Sequence, residues 1–165
     1  AVISQISLPM PSGVPITIQV FGIALVGSVL GWRNGLLSTI VYILIGAIGL
    51  PIFANFRGGL EVLVGMTGGY ILAWPGMAVL SGIKPRSGNA LMNLIVQIVL
   101  AVIGLLFVEV IGGLQWAALS GDMTFSAVMA YSIVAFIPKD IVITVLGVII
   151  GSQVRKPLVR AGFMN

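Results

Sequence analysis

The chain has 165 residues, of which 59% are apolar and 7% are charged, with eight Lys and Arg against four Asp and Glu. A soluble domain carries about 25% charged residues, so this composition predicts a membrane protein. Cys and His are both absent, which excludes disulfides, thiolate or imidazole metal sites, haem ligation and His-dependent catalysis, and argues against an enzyme. The basic residues are scattered, so the net charge of +4 does not indicate nucleic-acid binding.

The first half of the chain divides into apolar segments at its prolines, glycines and charges. We interpret the stub 1–8 as the remainder of a first helix, with an earlier piece preceding Ala1. A proline-rich stretch follows, and then two helical segments at 16–32 and 35–50. A glycine-rich loop at 54–60 leads to the fourth segment.

The fourth segment covers about 62–83, and a basic turn at 84–88 separates it from the fifth, which runs from 89 to about 111. Because 112–137 is only partly apolar, we interpret it as a half-buried loop or partial helix, and 138–157 supplies the last helix. A spanning helix needs roughly 20 residues. The sequence therefore predicts an all-α integral membrane protein, a bundle of six transmembrane helices in one domain, 1–165, with its first helix truncated.

The distribution of charge predicts the orientation of this bundle. Six basic residues fall in loops or ends that share one side by helix count: Arg33, Lys84, Arg86, Arg155, Lys156 and Arg160. The remaining charged residues fall on the other side: Arg57, Glu61, Glu109, Asp122, Lys139 and Asp140. Since basic residues favour the cytoplasmic side, we expect a multi-pass protein of the plasma membrane with both termini in the cytoplasm.

Small and polar residues indicate how the helices pack. Glycines recur four residues apart in three pairs: Gly27 with Gly31, Gly65 with Gly69, and Gly147 with Gly151. Such pairs let helices approach closely, and packing within the bundle is favoured over dimerisation. On the fifth segment Asn89, Asn93 and Gln97 share one face, where we expect them to bond to neighbouring helices.

Lys139 and Asp140 are the most informative residues. Only 14 uncharged residues separate them from Arg155, about 21 Å of helix against roughly 30 Å of hydrocarbon. They should therefore lie below the outer headgroups, where charges normally face a cavity or a partner. Ligand binding is favoured for Asp140 and open for Lys139. The alternative is a structural role, with Asp140 beside the helix N-terminus and Lys139 extending outward.

Other candidate site residues lie on the same side. Arg57 suits a carboxylate ligand, or it is a surface residue paired with Glu61. Gln19 faces either a cavity or the headgroup boundary, and Glu109 contacts either a ligand or another residue. Aromatic residues such as Tyr42 and Tyr70 line a pocket or anchor the chain at the membrane interface. The chain contains no G-x-x-x-x-G-K-[ST] motif for binding ATP.

Four blocks in order resemble the BioY family, the biotin-specific S components of energy-coupling factor transporters. They are 14–19 (VPITIQ), 46–54 (GAIGLPIFA), 58–60 with 65–70 (GGL and GMTGGY), and 136–140 (FIPKD). The resemblance implies a six-helix S component with an outward-facing biotin pocket capped by loops. It also implies a transmembrane coupling subunit and two ATP-binding subunits as partners, with no cofactor on this chain and no nucleic acid bound.

The chain departs from the family pattern F-I-P-G-D-L-I-K at two positions where the charge changes. Lys139 stands where the pattern has glycine, and Ile143 stands where it has lysine. Positions 139 and 143 lie one turn apart on one helix face, so our hypothesis is that Lys139 replaces the missing lysine.

The chemistry of biotin suits the candidate residues. Asp140 can accept from the ureido N–H groups, and Lys139 or Arg57 can neutralise the carboxylate. Two further groups of residues complete this expected site: Asn55 and Gln19 for the remaining polar atoms, and Tyr42, Tyr70 and Phe53 against the ring. Two other functions stay open, an S component for another small vitamin and a membrane scaffold whose charged pairs are structural.

Overall fold

The computed structural model describes residues 2–8, 10, 14–85, 87–121 and 123–163. Arg86 and Asp122, which entered the prediction of orientation, lie outside these residues. The described residues form two short strands and seven α-helices: β1 (Ser7–Leu8), β2 (Ile16–Thr17), α1 (Gln19–Leu30), α2 (Trp32–Ala47), α3 (Leu60–Val64), α4 (Gly68–Gly82), α5 (Ala90–Ser120), α6 (Phe125–Ala135) and α7 (Ile137–Arg160). The predicted all-α class is therefore confirmed, with a small two-stranded sheet added at one end.

Residues 2–8 are not the remainder of a helix, and that part of the prediction is wrong. Ile3–Gln5 form a single 3₁₀ turn, and β1 pairs antiparallel with β2, with Ser7 opposite Thr17. The physical reason is the proline content of 9–15, since a residue before proline is held in extended backbone and proline cannot donate a helical hydrogen bond.

The fifth helix is longer than the sequence predicts. α5 has 31 residues and ends at Ser120 rather than near Ile111. Gly112 does not end the helix and is a packing position, since a side chain there would meet the ring of Tyr70. α6 has 11 residues, about 16 Å, too short to span a bilayer, which confirms a partial helix in this stretch.

Glycines bring the central helices together. α1 packs against α7, α4 and α2, and α4 packs against α5. A Cβ atom on Gly27 would lie 2.5 Å from the Ala78 carbonyl oxygen of α4, and one on Gly147 would lie 2.8 Å from the Phe21 carbonyl oxygen of α1. Glycine is required at both positions because backbone fills the space that a side chain would occupy. These contacts agree with packing inside one bundle.

Side-chain amides on α5 act more locally than expected. Gln97 donates to the Ser81 carbonyl of α4 at 2.8 Å, as predicted for a contact between helices. Asn89 instead caps its own helix by accepting from the Leu91 amide at 2.9 Å, and Asn93 accepts from the Ser87 amide in the preceding loop. Capping side chains favour such local bonds at helix starts.

The outer surface of the bundle is apolar. Exposed large side chains recur every four residues on α7, and similar residues cover α2 and α5: Val142, Leu146, Ile150, Val154, Leu37, Val41, Leu44, Ile95, Val99, Ile103, Phe107 and Leu114. In a soluble helix this face would be charged. Ala90–Ser120 and Ile137–Arg160 are also long and apolar enough to cross a membrane, so the outer face suits lipid.

Basic side chains meet the C-terminal end of α1, opposite the end where α7 begins. Arg155 of α7 donates to the Val29 carbonyl at 2.5 Å, and Lys84, just after α4, donates to the Ser28 carbonyl. Cations at a helix C-terminus are stabilising because they interact favourably with the partial negative charge of its free carbonyls. Burial, followed by the repulsion of Arg155, lowers the pKa of Lys84 from 10.5 to about 8.

The lowered pKa of Lys84 predicts a pH-dependent stability. Below about pH 8 the lysine is charged in both states, and the folded state bears the full cost of the buried charge. Between about pH 8 and 10.5 the unfolded chain binds more protons than the folded chain, so stability rises with pH. We expect the melting temperature of the wild type to rise relative to that of Lys84→Gln over this range. Parallel melting curves for the two proteins would contradict the expectation.

Candidate functional site

A cavity of about 160 Å³ lies at the end of the bundle where α7 begins. This is about ten times the volume that one ordered water needs, so the cavity is large enough for a small organic ligand. Its walls come from β2 and the start of α1, from the loop 54–57, and from α4, α5 and α7. Six of the eight predicted site residues line it: Gln19, Asn55, Arg57, Tyr70, Lys139 and Asp140.

Lys139 and Asp140 form an ion pair on the cavity wall. Helix α7 begins at Ile137, and Pro138 lies in its first turn. Proline fits there because the first amides of a helix have no partner within the helix. Lys139 Nζ lies 2.5 Å from Asp140 Oδ1 and donates to the Thr17 carbonyl at 2.6 Å. The side chain of Asp140 is 8% exposed and that of Lys139 is 30% exposed. The pair therefore faces the cavity and is not sealed from it.

The loop 52–57 borders the cavity and is tied to the N-terminal segment. Asn55 and Phe56 have φ angles of 57° and 55°, a left-handed backbone that asparagine tolerates better than most residues. Ser7 Oγ donates to Asn55 Oδ1 at 2.6 Å, and Gln5 Oε1 accepts from the Phe56 amide at 2.7 Å. These bonds fix Asn55 at the cavity wall, and Arg57, two residues further along the chain, is exposed at its rim.

Tyr42 and Phe53, which the sequence assigned to the ligand ring, do not line this cavity. Phe53 is 1% exposed and packs over Gly46, with its ring centroid 5.8 Å from that of Tyr42. Tyr42 donates its hydroxyl to the Ile52 carbonyl. Both rings instead attach the loop to α2. Gly46 has no side chain, and the Phe53 ring fills the space above it and is buried there.

Three further cavity residues with useful chemistry were not part of the expected biotin site, although the sequence had left Glu109 open as a ligand contact. Trp74 and Phe136 supply aromatic surface, and Glu109 supplies a second carboxyl group on α5. The sequence contained a signal for each one. Trp74 is an aromatic residue within an apolar segment, and Phe136 begins the block FIPKD. Glu109 is a charged residue within an apolar helix. Their orientation toward the cavity depends on helix rotation, which the sequence patterns did not fix.

The site combines acidic groups with a basic rim. Asp140 and Glu109 are buried, at 5% and 3% exposure, and Arg57 is exposed at the opening. Aromatic and aliphatic side chains cover the surface between them. A binding site that reads a ligand with polar groups at both ends needs such separated donors and acceptors. The fold and the site together define a helical membrane protein that binds a small polar molecule.

Comparison with known proteins identifies the family. A profile of the BioY family matches residues 1–160, and the chain belongs to the BioY family. A "Probable biotin transporter BioY" of Pyrococcus horikoshii is 36% identical, over 92% of this chain and 86% of that protein. A "Biotin transporter BioY" of Rhodobacter capsulatus is 34% identical, over 82% of this chain and 76% of that protein.

A solved structure has the same fold. The crystal structure of the S-component for biotin from an ECF-type ABC transporter matches with a TM-score of 0.78 and 28% identity, covering 94% of this chain and 84% of that one. The resemblance inferred from the four sequence blocks is thus confirmed, as is the prediction that the chain is a membrane transport protein and not an enzyme.

Proposed function

We propose that the chain is the high-affinity biotin-binding S component of an energy-coupling factor importer. The observation that carries the proposal is that a chain of the BioY family has a cavity that Asp140, Lys139, Asn55 and Arg57 line together. The names of its relatives and of the solved structure support biotin as the ligand. A purely structural role for the charged pair is disfavoured, since the pair adjoins a cavity.

Biotin would lie with its ureido ring inward and its carboxylate outward. Asp140 accepts a ureido N–H, and Trp74 and Tyr70 cover the apolar ring. Arg57, at the rim, neutralises the carboxylate, and Asn55 and Gln19 bond to polar atoms left over. The arrangement follows from charge: the buried carboxyl groups would repel the ligand's carboxylate, and the exposed guanidinium attracts it. Lys139 replaces the family lysine by reaching the site from one turn earlier.

The proposal includes partners and a location. A transmembrane coupling subunit and two ATP-binding subunits supply the energy for import, and this chain contributes the ligand site. The protein lies in the plasma membrane with both termini cytoplasmic, so that the cavity opens outward and the end that carries Lys84 and Arg155 faces the cytoplasm. Copurification of the three partner types with a tagged chain tests the assembly. Labelling of single cysteines at either end of the bundle from outside intact cells tests the orientation.

The direct test of function is binding of radiolabelled biotin to the purified chain in detergent. We expect saturable binding tighter than micromolar that unlabelled biotin displaces and unrelated vitamins do not. Binding that is weaker, or none, would favour a membrane scaffold. Displacement by a different vitamin would favour an S component of another specificity.

Replacing Arg57 by alanine should weaken binding of biotin by about tenfold, since a charge-assisted hydrogen bond at an exposed rim contributes about 1.5 kcal/mol. Biotinamide, which lacks the carboxylate, should lose no affinity from the same change. Titration calorimetry of the two ligands measures the difference. Arg33→Ala, at the opposite end of the bundle, is the control that should leave both affinities unchanged. Equal losses for biotin and biotinamide would show that Arg57 does not contact the carboxylate.

A further inference from the structure

Glu109 is a buried carboxyl group on the cavity wall whose hydrogen bonding is incomplete. It lies on α5 and is 3% exposed. Its Oε2 atom makes no hydrogen bond of normal geometry with any part of the chain that the structure describes. Leaving such an atom buried and unpaired is unfavourable, and more so for a charged group, so a partner from outside the chain is expected.

The groups that face Glu109 come from three other helices. Ser132 of α6 adjoins its carboxyl group. Tyr70 of α4 and the pair Lys139 and Asp140 of α7 interact with it electrostatically. The Tyr70 hydroxyl and Ser132 Oγ are also buried without a hydrogen bond of normal geometry in the described residues. Three polar side chains thus meet beside the cavity with unused hydrogen-bonding capacity.

The nearby lysine is already committed to other acceptors. Lys139 Nζ lies 2.5 Å from Asp140 Oδ1 and 2.6 Å from the Thr17 carbonyl oxygen. Across the described ranges this is the only ion pair within 4.0 Å. Asp140 therefore has a counter-ion in contact, and Glu109 does not. The inner end of the cavity has two acidic groups and one basic group.

We infer that Glu109 is a specificity-determining residue, which contacts the ring end of the ligand. The inference rests on the proposed function, since the ligand is taken to carry a cyclic urea. Such a ring has two N–H donors and one carbonyl acceptor. Asp140 accepts from one N–H, Glu109 Oε2 accepts from the other, and the Tyr70 hydroxyl donates to the carbonyl. The ligand thereby supplies partners for Glu109 Oε2 and the Tyr70 hydroxyl, two of the atoms that the described residues leave unpaired.

The inference has a consequence for ligand choice. A second carboxyl group without a counter-ion favours a positive charge at the ring. The site should therefore accept a cyclic guanidinium, which has N–H donors in the same positions and is charged at neutral pH. The analogue 2-iminobiotin has this group in place of the urea and is otherwise the same molecule as biotin. Its exocyclic nitrogen donates where the urea oxygen accepts, so the Tyr70 hydroxyl would rotate to accept from it.

The experiment compares biotin and 2-iminobiotin on the wild type and on Glu109→Gln by calorimetry in detergent. Glutamine keeps the size of the side chain and removes its charge. We expect Glu109→Gln to lower the affinity for 2-iminobiotin at least about tenfold more than it lowers the affinity for biotin. The reason is that charged hydrogen bonds are roughly twice as strong as neutral ones. Glu61→Gln, an exposed glutamate outside the cavity, is the matched control and should leave the ratio unchanged.

A measurement on the unaltered chain keeps the test independent of folding of the variant. On the wild type, 2-iminobiotin should displace radiolabelled biotin with an affinity within about tenfold of biotin's own. The inference is overturned if 2-iminobiotin does not displace biotin, or if Glu109→Gln changes the two affinities equally. In both of these cases the wild type still binds biotin and the proposed function stands. If the wild type binds no biotin, the proposed function and the inference fail together.

Discussion

Replacing Asp140 by alanine should weaken biotin binding by about 100-fold, since a hydrogen bond to a charged group contributes about 1.5–3 kcal/mol and the change also leaves the charge of Lys139 unpaired. The substitution removes the acceptor for a ureido N–H. It also leaves the ammonium group of Lys139 without the carboxylate that lies 2.5 Å away, so the cavity would become positive at its inner end. Radiolabelled biotin binding in detergent measures the loss.

Two further substitutions separate the contributions within the ion pair. Asp140→Asn keeps the shape of the side chain and should restore little binding, because an amide does not balance Lys139. Lys139→Ala should weaken binding about tenfold if this lysine replaces the family lysine absent at Ile143. If Lys139→Ala leaves the affinity unchanged and Asp140→Ala abolishes it, the hypothesis of replacement is wrong. Melting temperatures for each variant establish that the bundle is still folded.

Replacing Gly27 by alanine should destabilise the bundle by about 1–3 kcal/mol, the usual cost of overpacking a tight core. The new methyl group would lie 2.5 Å from the Ala78 carbonyl oxygen and 2.9 Å from Ser81 Cβ. Both obstacles belong to α4, so the two helices would have to separate. In lipid this matters more than in water, since close packing is a main source of attraction between helices.

Gly22→Ala is the matched control on the same helix. A methyl group there would have only Ile3 Cδ1 as a neighbour, at 3.9 Å, an ordinary contact distance. Alanine also favours helix by about 0.5–1 kcal/mol relative to glycine, so this variant should be as stable as the wild type or more so. Thermal unfolding monitored by tryptophan fluorescence compares the two. If Gly27→Ala and Gly22→Ala had the same melting temperature, the α1–α4 contact would be looser than described.

Much of the fold followed from the sequence because in a membrane protein the position of each charge is restricted. Lys84 and Arg155 were predicted at one end of the bundle and Asp140 at the other, and the structure has them so. Helix ends were less predictable. The weaker apolar character of 112–137 suggested that α5 stops near Ile111, but glycine and polar residues that face other helices leave a helix uninterrupted.

The candidate site was predicted residue by residue with uneven success, for a physical reason. The loop 54–57 and the start of α7 lie at the same end of the bundle. Their polar residues therefore line the cavity, as the sequence predicted: Asn55, Arg57, Lys139 and Asp140. Tyr42 and Phe53 have the right chemistry for a ligand ring, yet they pack on each other under the loop. Whether an aromatic ring faces a ligand or a neighbouring helix depends on rotation about the helix axis, and in a helix that is apolar on every side no sequence pattern fixes that rotation.

The bonds between the N-terminal segment and the loop 52–57 have a kinetic consequence. Ser4 donates to the Ile52 carbonyl, Gln5 to the Phe53 carbonyl, and Ser7 to Asn55, at 2.6, 3.0 and 2.6 Å. Two separate stretches of chain at this end of the molecule must therefore swing aside together or not at all. Displacement of the loop therefore breaks several hydrogen bonds at once, and we expect any exchange of a bound molecule that needs this displacement to be slow in both directions, with the equilibrium affinity unchanged.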